Sequence, residues 1–260
     1  MARTAAEADE RILAAWLVGS LTTSHADAYS DIDFAILVSS ENHAEFATQG
    51  WKDFVSSFTD TVMLRPFEVG AGGYAITPDW MHFDIAIHAD KPIIRPGSGI
   101  LPLFDRAGVL PDEARQVDIE RGDPWFPADV VQWFFYMLGN LAVVVGRNEP
   151  VLGTNGAVIL RDTCLVPLMH AESGIVRTGG NKRLRAFLTE EQHAELEALP
   201  PLAPTLDSVV AGYAAIAEVF VSRGRALAER LGAEWPFDFD RATADHLERM
   251  IGRRIPASVR

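Results

Sequence analysis

Apolar and polar residues follow two different periods along the chain, and the period changes near Pro127. Before that point, apolar residues at every second position predict strands over 32–38, 61–69, 74–77 and 81–88, and a short strand that ends at 19. Helical spacing predicts helices over 5–16 and 41–58. After that point, helical spacing predicts helices over 128–145, 153–172, 181–187, 190–199, 205–231 and 241–251.

Glycine and proline residues separate these elements and indicate how the chain is organised. Gly70 to Gly73 predicts a flexible break between two strands, and the prolines and glycine of 92–102 predict an irregular exit from the sheet. Thr189 stands where a helix N-cap is expected. The pattern predicts an α+β chain with a mixed sheet in an α/β domain over 1–122, followed by a helical bundle over 123–260.

A Gly-Ser pair lies ahead of the first clear strand, and an Asp-x-Asp pair lies at the start of that strand. A short loop over 21–30 separates Gly19 and Ser20 from Asp31 and Asp33, and apolar residues alternate through Ile32–Val38. Period-two geometry places the two carboxylates on one face, opposite the apolar set. Neighbouring carboxylates repel each other unless a divalent cation lies between them, and a small turn lets backbone N–H groups approach phosphate. This combination is typical of phosphoryl or nucleotidyl transfer.

The segment VGSLTTSHADAYSDIDFAILV resembles the signature of the DNA polymerase β-like nucleotidyltransferase superfamily. It is most similar to the antibiotic nucleotidyltransferases, especially the aminoglycoside adenylyltransferases. The resemblance implies an N-terminal nucleotidyltransferase domain and a C-terminal helical domain for nucleotide and substrate. It also implies a third acidic residue on a later strand, which matches Asp84 in HFDIAIH.

The matching positions give expected roles in catalysis and metal binding. Asp31 and Asp33 are expected to bind Mg²⁺, which suits hard oxygen ligands. Asp84 is expected to be a third metal ligand, the general base, or both. His82 and His88 share its strand face; each is a candidate base or substrate contact, and a partly exposed histidine at a strand edge is the favoured interpretation.

Five further positions are expected to contact ATP. Gly19 and Ser20 match the turn that holds the terminal phosphates, and Ser30 matches a second phosphate contact. Lys182 follows a Gly-Gly turn at a predicted helix start, where N–H groups and a cation can meet phosphate. The similar enzymes use a lysine from this region and a tyrosine from a later helix, which match Lys182 and Tyr213; a solvated helix face and a core aromatic residue are the respective alternatives.

Composition limits the classes of partner. The 260 residues include 36 acidic and 23 basic residues, and the net charge of −13 argues against a nucleic-acid polymer and favours a cationic small molecule. With 48% hydrophobic residues the chain can form a core. The single cysteine, Cys164, excludes an internal disulfide and is expected to be a buried thiol. We expect no signal peptide, no apolar run of membrane-spanning length, and a cytoplasmic protein.

The expected function is Mg²⁺-dependent transfer of AMP from ATP to a hydroxyl of a small molecule, with an aminoglycoside or lincosamide antibiotic as the expected kind of acceptor. One alternative is a protein adenylyltransferase of the toxin-antitoxin type, although such proteins tend to be shorter and to lack a large helical domain. The other alternative is a nucleotide-binding regulator without turnover. The complete acidic set argues against it, because a protein that only binds nucleotide does not need that set.

Overall fold

The computed structural model describes residues 1–23, 26–93, 99–111, 114, 121–176 and 184–257. The chain divides into two compact units, Met1–Asp118 and Ile119–Arg260. Among the described residues, the first unit has a sheet and three α-helices, and the second has helices and their connections. A mixed sheet followed by a C-terminal helical region is the fold class that the sequence predicts.

The first unit is built on a six-stranded mixed sheet. Its strands are β1 (Ile12–Val18), β2 (Ile32–Val38), β3 (Met63–Pro66), β4 (Gly72–Ile76), β5 (His82–Ala89) and β6 (Leu101–Asp105). The order across the sheet is β3-β4-β5-β2-β1-β6. Strands β2 and β5 are parallel, and every other pair is antiparallel. The prediction of a strand over 32–38 is confirmed, and the strand predicted over 81–88 lies within one residue of β5.

The helices of this unit are α1 (Ala2–Ala8), α2 (Ser40–Glu45) and α3 (Trp51–Ser56), and apolar residues on one face of the sheet pack against α1 and α3. No residue of α2 is buried. A π-helical turn, Phe46–Gly50, joins α2 and α3 within the predicted helix over 41–58. The buried set from the strands includes Phe34, Ile36, Val38, Phe83, Ile85 and Ile87, and the buried set from the helical segment includes Phe46, Trp51 and Phe54. This layer supplies most of the hydrophobic stabilisation of the unit.

The prediction of a helix over 5–16 is wrong for its second half. Helix α1 ends at Ala8, and β1 begins at Ile12. Strand β1 pairs with β2 on one side and β6 on the other, and Ala14, Ala15 and Trp16 are fully buried. Because a central strand is buried on both faces, it has no alternating pattern, and its apolar run is easily read as the continuation of a helix.

Two further expectations about the sheet are also wrong. Gly72 and Gly73 are not a flexible break, because they are buried residues of β4. The region around Pro102 contains strand β6, where an irregular exit was expected. Strand β6 lies at the sheet edge, where a proline is tolerated because no strand beyond it needs the missing N–H.

The second unit contains eight helices in its described part. They are α4 (Ala128–Gly139), α5 (Leu141–Gly146), α6 (Pro150–Leu160), α7 (Val166–Glu172), α8 (Leu184–Phe187), α9 (Glu190–Glu197), α10 (Leu206–Leu231) and α11 (Phe237–Ile251). The six predicted helices correspond to these elements, except that the beginning of the one over 181–187 lies outside the described residues. A break at Asn140 and a π-helical turn, Arg161–Leu165, divide two of the predicted helices.

Local predictions within the second unit are confirmed at two residues. The Thr189 hydroxyl accepts a hydrogen bond from Gln192 N, and the Gln192 side chain accepts one from Thr189 N, which completes a capping box. Cys164 is fully buried in the helical core. Burial raises the pKa of its thiol to about 11, so the group stays protonated at neutral pH.

The expectation that no apolar run reaches membrane-spanning length is wrong for the segment Ala128–Gly146. By length and composition alone it is long and apolar enough to cross a membrane. In the structure, Val131, Phe134, Phe135, Leu138 and Leu141 of this segment are fully buried within the helical core. A core helix of this kind passes the same test of length and hydropathy.

An ion pair joins α10 to the beginning of α11. Asp240 is completely buried and accepts hydrogen bonds from Arg225 Nη2 at 2.7 Å and from Trp235 Nε1 at 2.9 Å. The guanidinium group of Arg225 also lies 5.7 Å from the centre of the Phe237 ring. Asp240 therefore holds together the two ends of the 232–236 connection.

We predict that Asp240→Ala lowers the free energy of unfolding by about 3 kcal/mol, because it leaves the Arg225 charge and the Trp235 N–H without their buried partner. Urea unfolding followed by circular dichroism measures the loss. The control is Asp238→Ala, which removes a fully exposed carboxylate from the same helix. Equal stability of the two variants would contradict this role of Asp240.

Candidate metal and nucleotide site

The pairing of β2 with β5 brings two of the predicted carboxylates together. In the parallel register, Asp33 lies directly beside Asp84, and on the other side of β2 Asp33 is paired with Val18 of β1. Residues that are directly paired across strands project from the same face of a sheet. Asp33 and Asp84 therefore project from the face opposite the helices, because Phe34, Ile36, Phe83 and Ile85 face the helical layer.

Asp31 completes a cluster of three carboxylates. It lies one residue before β2, and single carboxylate oxygens of Asp31, Asp33 and Asp84 all lie within 4.8 Å of one another. All three residues are partly buried. Three negative groups at this separation repel each other, and a cation among them would relieve the repulsion. Three oxygen donors suit Mg²⁺ or Mn²⁺, which need few protein ligands because phosphates and water complete the coordination shell.

Gly19 packs directly against this cluster. It begins a 3₁₀ turn, Gly19–Thr22, that follows β1, and its φ of +69° favours glycine. A Cβ atom at this position would lie 1.9 Å from Asp33 Oδ2. The turn is fixed by the hydroxyl of Thr22, which donates to the Gly19 carbonyl at 2.7 Å. The absence of a side chain at Gly19 therefore allows the turn and the carboxylate to be neighbours.

The two predicted serine contacts differ in their surroundings. The Ser20 hydroxyl oxygen is buried and has no hydrogen-bond partner among residues that the structure describes. A buried hydroxyl without a partner costs free energy, and a phosphate oxygen there would satisfy it. The Ser30 hydroxyl accepts from Asp27 N at 3.0 Å and donates to Asp27 Oδ1 at 3.1 Å, so it also shapes the turn before Asp31.

The two predicted histidines occupy different parts of the same strand face. His82 Nε2 lies 2.8 Å from Asp84 Oδ1. His88 stacks instead on Trp16, with ring centroids 5.2 Å apart. Sequence reasoning missed Tyr74, which is paired directly with Asp84 and whose ring lies 6.1 Å from that of His82. Strand periodicity could place Tyr74 on a face, but only the register of β4 against β5 makes it a neighbour of Asp84.

The two nucleotide contacts predicted in the second unit are Lys182 and Tyr213. Lys182 lies outside the described residues. Tyr213 is 2% exposed and belongs to the helical core, and its hydroxyl would be 2.0 Å from a Cβ atom at Gly156. Burial raises the pKa of Tyr213 to about 12. Its contact with nucleotide stays a prediction.

Comparisons with known proteins give a distant likeness to a solved structure. No family model and no curated protein sequence matches the chain. Among solved structures, the chain is similar to a crystal structure of an aminoglycoside 6-adenyltransferase from Bacillus subtilis, with 14% identity over 94% of both chains and a TM-score of 0.43. A likeness at this level does not assign a fold family or an activity to this chain.

We predict that Gly19→Ala weakens Mn²⁺ binding by about tenfold or more, because the added methyl group displaces Asp33 without removing any ligand. Electron paramagnetic resonance of free Mn²⁺ measures the affinity. Gly108→Ala is the matched control, since Gly108 also has a positive φ, +64°, but open space around its Cβ position. If both variants bind Mn²⁺ as the unmodified chain does, the carboxylates are not the cation site.

The environment of His88 predicts a pH dependence of stability. Burial lowers the pKa of His88 below 6.5, and the nearby charge of His43 lowers it further. In the unfolded chain His88 takes up a proton near its ordinary pKa, whereas in the folded chain it stays neutral to lower pH. The unfolded state then binds more protons, so stability falls as the pH decreases through this window.

We predict that the chain loses stability between about pH 7.5 and about pH 5.5 and that His88→Gln loses less, because the variant lacks this protonation. Urea unfolding at several pH values measures the difference, with His246→Gln as the control. An NMR titration that places the pKa of His88 at 6.5 or higher would contradict the prediction.

Proposed function

We propose that the chain is a Mg²⁺-dependent nucleotidyltransferase that transfers AMP from ATP to a hydroxyl group of a small molecule. The observation that carries this proposal is the convergence of Asp31, Asp33 and Asp84, with the Gly19 turn packed against Asp33. The unpartnered hydroxyl of Ser20 supports it, because this hydroxyl belongs to the same turn. Carboxylates next to a phosphate-holding turn are the groups that the reaction requires.

The proposed reaction is an in-line displacement at the α-phosphorus of ATP. The acceptor oxygen forms a bond to that phosphorus, the bond to the bridging oxygen of the β-phosphate breaks, and pyrophosphate leaves with the bonding electrons. The hydroxyl proton passes to the Asp84 carboxylate or to water. A bound Mg²⁺ would neutralise charge on the triphosphate.

The residues of the turn and loops have proposed binding roles. Gly19 and Ser20 bind the terminal phosphates through the backbone N–H groups and the Ser20 hydroxyl, and Ser30 is a second candidate phosphate contact. Asp31 and Asp33 would hold the metal. Asp84 is either a third ligand or the base, and its Oδ1 atom lies 2.8 Å from His82 Nε2. Lys182 and Tyr213 stay candidates for contact with the nucleotide.

The acceptor class follows from charge and from the resemblance. The net charge of −13 and the carboxylate cluster favour a cationic acceptor, and aminoglycosides and lincosamides are amine-bearing compounds with several hydroxyl groups. We propose the cytoplasm as the place of action because ATP and Mg²⁺ are available there. The first unit would then be the nucleotidyltransferase domain.

We predict that ATP and Mg²⁺ yield pyrophosphate in the presence of one class from a panel of aminoglycosides and lincosamides, and that Asp33→Ala abolishes this release. A coupled assay for pyrophosphate measures it, and Asp60→Ala, which removes an exposed carboxylate of the same unit, is the control. Full activity of Asp33→Ala would overturn the metal assignment. Transfer of labelled AMP to a polypeptide would indicate a protein adenylyltransferase, and ATP binding without any turnover would indicate a regulator.

A further inference from the structure

The row of paired residues that contains the carboxylates continues across the sheet beyond Asp84. Tyr74 of β4 is paired directly with Asp84, and Arg65 of β3 is paired directly with Tyr74. Because paired residues share a face, Tyr74 and Arg65 project from the same face as Asp33 and Asp84. Along the row, Tyr74 is therefore the neighbour of Asp84 on the side away from Asp33.

A cavity opens at this end of the row. It has a volume of about 690 Å³ and is lined by Arg65, Phe67, Glu68, Val69 and Tyr74. We call this cavity the hairpin pocket. Its volume lies within the range of small-molecule sites, about 300–1,000 Å³. A larger cavity of about 1050 Å³ lies among residues of α1 and α3, and none of the candidate site residues lines it.

The walls of the hairpin pocket are held in place by packing and by the backbone. The rings of Phe67 and Tyr74 meet edge to face with centroids 4.7 Å apart, and Phe67 N donates to the Gly72 carbonyl at 3.1 Å. Gly72 has a φ of +112°, and a Cβ atom there would lie 1.8 Å from the Ile85 carbonyl oxygen and 3.3 Å from the Phe67 ring. Glycine at this position lets β4 lie close to β5, the strand that carries Asp84.

The direction of the proposed reaction relates this pocket to the acceptor. In an in-line displacement the attacking and leaving oxygens lie on opposite sides of the phosphorus. If Gly19 and Ser20 hold the leaving phosphates at the β1 end of the row, the acceptor approaches from the β4 end, where Tyr74 follows Asp84. This step rests on the proposed function.

The chemistry of the lining indicates what the acceptor carries. Two aromatic rings offer apolar faces to the C–H groups of a ring compound. Glu68 is 83% exposed and pairs with Arg65 at 3.0 Å, and Arg65 is itself 63% exposed. An exposed pair of this kind is weak, so an ammonium group of a ligand can replace Arg65 as the partner of Glu68. We propose that the hairpin pocket is the acceptor subsite, where Phe67 and Tyr74 contact the ring and Glu68 binds the ammonium group of the cationic acceptor class proposed above.

The test is equilibrium binding of kanamycin A, a hydroxylated aminocyclitol with ammonium groups, to the full chain without ATP. Its fully N-acetylated derivative keeps the rings and hydroxyls but has no charge. By isothermal titration calorimetry we expect Tyr74→Ala to weaken kanamycin A binding about tenfold or more. We expect Glu68→Gln to weaken it as well, and the N-acetylated derivative to bind more weakly than kanamycin A.

Matched variants separate the pocket from general effects. Tyr136→Ala and Glu41→Gln remove exposed side chains of the same types elsewhere and should leave binding unchanged. Val69→Arg should weaken binding by filling the pocket and repelling the ammonium group, and it endangers folding little because Val69 is 93% exposed. Val176→Arg is its control, at a residue that is 79% exposed.

The outcomes distinguish this proposal from the proposed function. Equal kanamycin A binding by the unmodified chain, Tyr74→Ala and Val69→Arg would overturn the subsite, and no binding to the unmodified chain, or equal binding of the N-acetylated derivative, would overturn the acceptor class. If kanamycin A binding depends on Tyr74 but no acceptor causes pyrophosphate release from ATP, the proposed function is overturned and the ligand site stands. If an acceptor supports pyrophosphate release and binds the Tyr74→Ala variant as tightly as the unmodified chain, the proposed function stands and the assignment of the hairpin pocket as the acceptor subsite is overturned.

Discussion

The parallel pairing of β2 with β5 is the constraint on which the rest of the candidate site depends. It places Asp33 beside Asp84 in one register, and a shift by one residue would move either carboxylate to the helical face. The two strands can hold this register because Phe34, Ile36, Ile85 and Ile87 are buried on the other face. The hydrophobic free energy of that layer offsets the repulsion that the clustered carboxylates add.

The two faces of the sheet therefore differ in role: one packs against the helices, and the other carries the candidate site. The helical face contains large apolar residues that pack against α1, the π-helical turn and α3, and this packing fixes the strands. The opposite face has a smaller apolar cluster, which includes Trp16, Ala35 and Leu37, and next to it the polar row with Asp33, Asp84 and Tyr74. A site on a rigid sheet keeps its geometry better than one built on loops, and two irregular elements complete it: the 3₁₀ turn at Gly19 and the turn before β2 that carries Asp31.

The sequence predicts what short segments determine by themselves. Strands β2 and β5 follow from alternation, and Gly19, Asp31 and Asp33 stand out because their types and spacing have a chemical meaning within about one loop length. The pattern predicts β1 as part of a helix, since burial on both faces removes alternation. It does not predict β6, because Pro102 argues against a strand unless the edge position is known. Tyr74 was missed for a different reason: its place beside Asp84 depends on the pairing of two strands, which no local pattern contains.

The contact between Gly19 and Asp33 couples the two halves of the proposed site. The 3₁₀ turn cannot move toward the sheet without meeting the carboxylate, and the carboxylate cannot rotate toward the turn, because no more than a hydrogen atom fits between Gly19 and Asp33 Oδ2. A cation that fixes Asp33 would thus also fix the turn, and a phosphate on the turn would favour the same carboxylate position. Binding of metal and of phosphate should therefore be mutually favourable, since each ligand reduces the conformational freedom that the other has to restrict.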